Sequence, residues 1–254
     1  MRARHEALHE QGSWSTNDFA APSCLVHVLE NRIQMGAWDG IEPAAVPSLV
    51  TDAARELIAA RRDITFAALD RHLLPALTAA LAPLGYEQTW HSKCGMYHLA
   101  PQQATHVPSP LSLPSTAILR PLRDSDAPHV DSRWAYRSDT SLGLIRRMIE
   151  AGSAGRGCVG VEEGGTLCGW VLRYLDGPLG MLHVDDYYRR RGYARALIRC
   201  AVDALESAGL PCFAYIVDGN VASKRVFVSE GWERVANADW VGFGVRAGVD
   251  AELL

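Results

Sequence analysis

The chain has 254 residues, a length that fits one large domain or two of ordinary size. Hydrophobic residues make up 48% of it and charged residues 21%, proportions typical of a globular protein with a buried core. The formal net charge of -4 gives no long-range attraction to nucleic acid or to an anionic membrane, so neither is expected as a partner.

Residues 1–20 are predicted to be disordered. They contain no apolar stretch that could serve as a secretory signal, and Glu6, Glu10 and Asp18 argue against an acid-poor transit peptide. No apolar run in the sequence is long enough to span a bilayer. These features predict a cytoplasmic protein, with the mitochondrion as the alternative location.

The six cysteines form no C-x-x-C pair, and no cluster of histidine and cysteine has the spacing of a zinc site. Cys158, Cys200 and Cys212 lie inside apolar runs. The pattern predicts buried free thiols in a reducing compartment, and no bound metal.

Residues 21–100 form the first predicted structured region. Its apolar spacing predicts a strand at 25–29, a helix at 47–60, a second helix at 66–81 that Pro75 bends or breaks, and strands at 86–91 and 96–100. Residues 84–87 resemble residues 230–233, and each segment follows a predicted helix and opens a strand. We therefore interpret the region as a smaller α/β unit; a degenerate half-repeat is one explanation of the likeness, and chance similarity is the alternative.

A proline-rich segment at residues 101–115 is predicted to be a linker, because its prolines restrict the backbone and little in it can pack. Residues 116–245 form the second region, in which strands and helices alternate. The strands are predicted at 116–123, 157–163, 166–175, 179–184 and 212–217, with two more near the end, and the helices at 127–136, 141–151, 192–208 and 220–229. This order predicts an α/β sheet with helices packed on it.

The most informative stretch runs from the predicted strand at 179–184 into the helix at 192–208. The first N–H groups of a helix have no partner inside it, and together with the positive end of the helix dipole they suit a phosphate. Gly192 allows close approach of a ligand, Ala194 leaves room, and Arg189, Arg190 and Arg191 add positive charge. We interpret the corner as a diphosphate cradle; a solvated arginine cluster at an ordinary helix start is the alternative. The sequence lacks the glycine and lysine spacing of a P-loop or a Rossmann fingerprint.

These residues match a known signature. Arg189-x-x-Gly192-x-Ala194 resembles the [Q/R]-x-x-G-x-[G/A] motif of the GNAT superfamily of acyl-CoA N-acyltransferases. The segment NVASKRVFVSEGW at 220–232 is similar to the superfamily's N-x-x-[AS]…G-[FW] helix and turn. The motifs follow in the superfamily's order, and the resemblance covers about residues 116–245.

A narrower resemblance is to the glycine N-acyltransferase-like family. Gly209-Leu210-Pro211, then Tyr215 and Asn220, are similar to that family's G-x-P…Y-x-V-x-x-x-N pattern, although the tyrosine spacing is only approximate. Trp134 and Trp170 stand where that family has tryptophans.

The resemblance implies a GNAT-like mixed, twisted sheet flanked by helices, with acyl-CoA or acetyl-CoA as co-substrate in a V-shaped gap between the strands at 179–184 and 212–217. Backbone groups of Leu182 and Val184 would pair with the pantetheine, and Asn220 and Ser223 would contact the cofactor, although Asn220 is equally a plain helix cap. The pyrophosphate would lie near Arg189 and bind the N–H groups of Arg190, Arg191, Gly192, Tyr193 and Ala194.

The resemblance leaves two candidates for the catalytic base. Pro178 stands near the position where many members have a glutamate, which leaves His183 and Asp186 as candidates. His183 is alternatively a core histidine, and Asp186 a turn residue. Phe227 replaces the tyrosine that often protonates the departing thiolate, so the side chain there cannot act as an acid.

The expected function is transfer of an acyl group from acyl-CoA to the amine of a small molecule such as glycine or another amino acid. A protein or peptide N-acetyltransferase is the alternative enzyme. A non-catalytic acyl-CoA-binding sensor is the alternative outside enzymology.

Overall fold

The computed structural model describes residues 58–60, 62–100, 111–152 and 157–246, together with the backbone of the strands at 23–29 and 32–38. The predicted disorder at 1–20, residues 101–110 of the linker predicted at 101–115, and nearly all of the helix predicted at 47–60 lie outside the described residues. The described strands are β1 Ser23–Leu29, β2 Arg32–Trp38, β3 Ile64–Leu69, β4 Tyr86–Ser92, β5 Cys94–Leu99, β6 Ala117–Pro121, β7 Val159–Glu163, β8 Thr166–Arg173, β9 Leu179–Val184, β10 Cys212–Val217, β11 Glu233–Asn237 and β12 Asp239–Val245. The helices are α1 Leu74–Leu81, α2 Ala127–Arg133, α3 Ser141–Gly152, α4 Tyr193–Ser207 and α5 Val221–Ser229.

The chain divides into two compact units. The larger unit is drawn from Tyr97–Ile216 and Asn220–Glu233, and the smaller unit from Ser15–Met96, Val217–Gly219 and Arg234–Leu254. The last strand, β12, thus belongs to the smaller unit although it comes near the end of the chain.

The smaller unit contains a five-stranded sheet in the order β1-β2-β3-β12-β4. Its core is a cluster of buried apolar side chains from β3, α1 and β12, among them Phe66, Leu77 and Phe243. The helix predicted at 66–81 is wrong in its first part, because residues up to Leu69 form β3. Pro75 occupies the first turn of α1, where its missing N–H costs nothing, so it opens a helix instead of bending one.

The larger unit contains β6 to β10 and, from Tyr97 onward, β5; these strands lie in the order β5-β10-β9-β8-β7-β6. Strands β6 to β9 pair antiparallel, and β9 pairs parallel with β10. One buried cluster joins the sheet to α4 through side chains such as Leu197, Ala201 and Leu205. A second cluster, with Val130 of α2, Ile145 of α3 and Trp170 of β8, joins it to α2 and α3. The predicted mixed, twisted sheet flanked by helices is confirmed.

The larger unit follows the sequence prediction closely. β9 and β10 have the predicted bounds, and α4 differs from its predicted bounds by one residue at each end. Helix α2 ends earlier than predicted, because Trp134 adopts extended backbone angles (φ -78°, ψ 123°). No helix within the described residues is long and apolar enough to cross a membrane. The cytoplasmic location stays a prediction.

The cysteines with described side chains are free thiols, and four of them, Cys94, Cys158, Cys168 and Cys212, are buried. Burial raises the pKa of the Cys212 thiol to about 12 and that of Cys158 to about 11. These thiols therefore remain protonated near neutral pH and act as small core side chains. Within the described ranges, no group of histidine, cysteine and carboxylate side chains is placed to hold a metal ion.

Candidate functional site

The site begins where two parallel strands separate. β9 and β10 have six residues each, yet they align at one pair only, Leu179 with Ala214. Beyond this pair the backbone groups on the facing edges of the two strands have no ladder partner. The separation opens a gap toward the carboxyl end of β9.

A bulge in β9 sets the direction of its last residues. Between the pairs Leu172–Gly180 and Trp170–His183 the register with β8 shifts, so β9 contains one extra residue. Met181 takes up the extra length in a left-handed conformation, with φ 52°, which is rare for a residue with a side chain. As a result Leu182 packs toward the α4 side of the sheet, whereas His183 stacks on Trp170.

The chain then turns into α4. Gly192 precedes the helix with φ 82°, and no side chain caps the helix start. The first helical hydrogen bond runs from the Ala196 N–H to the Gly192 carbonyl, so the three N–H groups before Ala196 have no acceptor within the helix. A 15-residue helix with an uncapped start is a favourable site for an anion.

The gap between the strands and the start of α4 form a single cavity of about 540 Å³. A cavity of this size suits part of an elongated small molecule. Ten of the twelve predicted site residues line it: Leu182, His183, Val184, Arg189, Arg190, Gly192, Tyr193, Ala194, Asn220 and Ser223. Arg191 and Asp186 do not.

The three consecutive arginines have different environments. Arg189 donates to the Val184 carbonyl at 3.0 Å and pairs with the exposed carboxylate of Asp186 at 2.7 Å. Arg190 is exposed and, within the described residues, forms no ion pair. Arg191 turns away and pairs with Glu163 at 3.1 Å, with its guanidinium 5.0 Å from the centre of the Tyr187 ring. Arg190 is thus the arginine at the cavity whose charge is least compensated.

Tyr193 supports the cradle from inside the core. Its side chain is buried, and its hydroxyl donates to Glu163 across 2.5 Å. Burial raises the pKa of Tyr193, and the hydrogen bond to Glu163 adds to the effect, bringing it to about 12. The phenol therefore stays neutral, and the residue can offer a ligand only its backbone N–H.

Arg195 also lines the cavity, a role that the sequence analysis missed. It pairs with Glu230 at the end of α5, and so does Arg199 one turn further along α4, across 2.5 Å. The Glu230 side chain is only 3% exposed, so both cations help to compensate a buried carboxylate. Arg195 therefore contributes less positive charge to the cavity than its position alone would indicate.

Helix α5 starts at the same cavity, but its start is capped. The Asn220 side-chain oxygen accepts the Ser223 N–H at 3.0 Å, so the helix-cap interpretation of Asn220 describes the local geometry. The side-chain amide of Asn220 and the Ser223 hydroxyl remain as polar groups on this wall. Phe227, further along α5, is 2% exposed and packs edge-on against Trp232, with ring centroids 5.0 Å apart.

His183 is the candidate base that lies at the cavity. Its ring stacks on Trp170, with centroids 4.7 Å apart and 22° between the planes. Its Nε2 atom is 3.1 Å from the Asp185 carboxylate, a partner that the sequence analysis missed. Residues 183 and 185 are two apart on an extended segment, so their side chains lie on the same face of it. This spacing could have predicted the contact from the sequence. Asp186, the other candidate, is 88% exposed on a turn and points at Arg189.

The chain is similar to known proteins in part of its sequence and in its fold. Residues 157–241 match the family model described as FR47-like protein. A search of curated protein sequences finds no match. Among solved structures, a Drosophila protein of 20% identity aligns over 95% of this chain and 86% of its own, with a TM-score of 0.69.

Two other solved structures are GCN5-related N-acetyltransferases. One, from Kribbella flavida, has 16% identity and a TM-score of 0.53 over 98% of this chain and 97% of its own. The other, from Sphaerobacter thermophilus, has 13% identity and a TM-score of 0.55 over 89% and 78%. At these identities the likeness shows a shared fold.

Proposed function

We propose that the protein is an acyl-CoA-dependent N-acyltransferase that acylates the amine of a small molecule, such as glycine or another amino acid. The observation that carries this proposal is the uncapped start of α4, which opens into the gap between β9 and β10. A molecule with a diphosphate at one end and an extended amide-containing arm fits such a site. The diphosphate binds unpaired N–H donors, and the arm pairs with a free strand edge.

In this proposal the N–H groups of residues 190–194 hold the pyrophosphate, and Arg189 and Arg190 balance its charge. The pantetheine arm lies along β9, where backbone groups of Leu182 and Val184 bond its amides as an added strand would. The thioester then lies near His183, because His183 stands between these two residues on the wall of the cavity.

The reaction we propose is direct attack by the amine nitrogen on the thioester carbon. His183 takes a proton from the amine, a backbone N–H near Leu182 to Val184 stabilises the oxyanion, and the tetrahedral intermediate collapses with loss of the thiolate. Coenzyme A thiolate is a good enough leaving group to depart without an acid at position 227. Asp186 is a weaker base candidate, because it is exposed and paired with Arg189.

The acceptor is proposed to be small on the basis of the resemblance to the glycine N-acyltransferase-like family and the acidic net charge of -4.

Phe227 favours a second candidate function, a non-catalytic acyl-CoA sensor. Its buried ring packs on Trp232 and offers no proton to a departing thiolate. A sensor would bind acyl-CoA through the same cradle and release no thiol.

A thiol-release screen tests the proposal. Several acyl-CoAs are crossed with a panel of amines, using wild type, Arg189→Ala, Gly192→Trp and, as a control, Arg147→Ala on the exposed side of α3. We expect release with at least one pair, and a higher KM for acyl-CoA in both cradle variants but not in the control. Thermal protection by acyl-CoA without release would favour the sensor. Unchanged acyl-CoA binding in both folded cradle variants would refute the cofactor placement.

A further inference from the structure

The Asp185 carboxylate lies between two histidines. One oxygen is 3.1 Å from His183 Nε2, and the other is 3.6 Å from His129 Nε2 on α2. The Arg133 Nε atom, one turn further along α2, is 3.7 Å from the first oxygen. The Asp185 side chain is 18% exposed, so it is held within the larger unit and does not move freely in solvent.

Trp170 packs against both histidine rings and so restrains their positions beside Asp185. Its side chain is 2% exposed, and His183 stacks on its face. His129 meets the same ring edge-on, at 77° and 5.4 Å between centroids. The Asp185 N–H donates to the Cys168 carbonyl at 2.9 Å, which fixes the backbone that carries the carboxylate. The imidazole of His183 is therefore restrained by ring stacking on one side and by a carboxylate at Nε2.

The carboxylate also decides which nitrogen of His183 is basic. An ionised carboxylate only accepts hydrogen bonds, so a neutral His183 must carry its proton on Nε2 to bond Asp185. The lone pair is then on Nδ1. Within the described part of the chain, Nδ1 has no hydrogen-bond partner, and it belongs to a side chain that lines the cavity.

We propose that Asp185 is a positioning residue for acyl transfer, which fixes the Nε2–H tautomer of His183 and so presents Nδ1 as the proton acceptor for the substrate amine. This inference rests on the function proposed above. Asp185 also stabilises the imidazolium that forms when the proton has been taken, since it remains hydrogen-bonded to Nε2.

The side chains of Arg133 and His129 face the Asp185 carboxylate. Arg133 is a permanent cation, and His129 adds a second when it is protonated. Burial raises the pKa of the neighbouring Cys168 thiol to about 11, so this thiol contributes no negative charge near neutral pH.

The test combines nitrogen NMR with kinetics on the full chain. The ¹⁵N shifts of His183, assigned by their loss in His183→Gln, report which ring nitrogen carries the proton in mildly alkaline buffer. We expect Nε2–H in wild type and in the control Asp203→Asn, an exposed position on α4, and a mixture of tautomers in Asp185→Asn. An asparagine amide can either accept from Nε2 or donate to it, so the tautomer is no longer fixed.

In kinetics, Asp185→Asn is expected to lower kcat by about tenfold or more, because orientation of the base is lost. Asp185→Glu should restore the tautomer and part of the rate. KM for acyl-CoA should stay unchanged, since Asp185 lies outside the cradle.

Three results would overturn the inference: an Nδ1–H tautomer in wild type, an unchanged tautomer in Asp185→Asn, or a tautomer change without any change in kcat. A protein with the expected tautomer but no thiol release with any amine would instead refute the proposed function. Because the NMR measurement needs no turnover, the two failures can be told apart.

Discussion

Tyr193 donates its hydroxyl hydrogen to Glu163, with 2.5 Å between the two oxygens, and thereby ties the first turn of α4 to the end of β7. Arg191 bonds the same carboxylate at 3.1 Å, so Glu163 holds the cradle corner through residues on both sides of Gly192. The unpaired N–H groups at the helix start therefore have a fixed direction before any ligand binds, which lowers the entropic cost of binding.

Tyr193→Phe tests this support. The substitution removes one hydrogen bond to a charged acceptor and should lower the free energy of unfolding by about 1–2 kcal/mol in urea titrations. The pH dependence has a definite sign. The pKa of Tyr193 is raised from its ordinary value of 10.0 to about 12 in the fold, so the unfolded chain loses this proton first. The contribution of Tyr193 to the free energy of unfolding is fully present below pH 10.0 and declines as pH rises toward about 12.

Other tyrosines and lysines titrate in the same range, so the measured quantity is the difference between wild type and Tyr193→Phe. That difference should shrink as pH rises from 10.0 toward about 12. Tyr136→Phe, at a position that is 59% exposed, is the matched control and should leave stability nearly unchanged. A constant difference across this interval would show that Glu163 does not hold the phenol.

Gly192 provides a test of backbone conformation that is independent of size. Its φ of 82° is unfavourable for alanine, whereas asparagine tolerates the left-handed region. Gly192→Ala should therefore cost about 1 kcal/mol of stability and raise the Kd for coenzyme A. Gly192→Asn should cost less in stability, although its side chain is larger. Steric crowding is a poor explanation for any loss in the alanine variant, because an added Cβ would lie 3.4 Å from the nearest atom, on Leu113. If asparagine proves the more damaging of the two, the conformational argument fails.

Arg190 is expected to act through charge alone. Arg190→Gln should weaken coenzyme A binding roughly two- to fivefold, because one poorly compensated cation beside the diphosphate is lost. The loss should diminish as salt is added, since the side chain is exposed and its field is screened. Calorimetric titrations at two ionic strengths measure both effects. Arg147→Gln on α3 changes the net charge equally and should bind as wild type does, so equal weakening in both variants would contradict a local role.

The part of the site that could be predicted from the sequence is the part built by neighbouring residues. Arg189, Gly192 and Ala194 belong to one continuous turn, so motif spacing and helix physics placed them together. The strands on either side are apolar runs with clear ends, and the structure gives them the predicted bounds.

The missed contacts all depend on packing between distant segments. Glu163 meets Tyr193 across 30 residues of sequence, and Glu230 meets Arg195 across 35. His129 reaches Asp185 only because α2 packs on the same sheet face as Trp170. In the smaller unit the error at 66–81 has a local cause. Alanine and leucine dominate that stretch and suit a helix. β3 forms instead because it pairs with β2 and β12 and most of its side chains are buried in the core.

The smaller unit has its own buried charge, the carboxylate of Asp239. The Asp239 side chain is fully buried and accepts two hydrogen bonds from Arg71, one from the Cys94 N–H at 3.0 Å, and shares one with His91 at 2.8 Å. Burial alone would raise the pKa of Asp239, but the hydrogen bonds, led by those from Arg71, lower it below its ordinary value of 3.8. The Asp239 carboxylate in β12 thus links Arg71, in the turn before α1, to His91 in β4 and to Cys94 at the start of β5.

Asp239→Asn should therefore lower the free energy of unfolding by about 3 kcal/mol, because Arg71 loses a buried anionic partner. A group with a lowered pKa stabilises the fold above its unfolded value of 3.8, and this contribution is lost as pH falls through the folded value. Wild type should lose stability steeply as the solution is acidified below about pH 4, and Asp239→Asn should lose less. Glu87→Gln, whose side chain is 56% exposed, should follow wild type. Circular dichroism measures the unfolding of each variant as the pH is lowered. If the curves of wild type and Asp239→Asn are parallel, the Asp239 carboxylate is not the cause of the acid sensitivity.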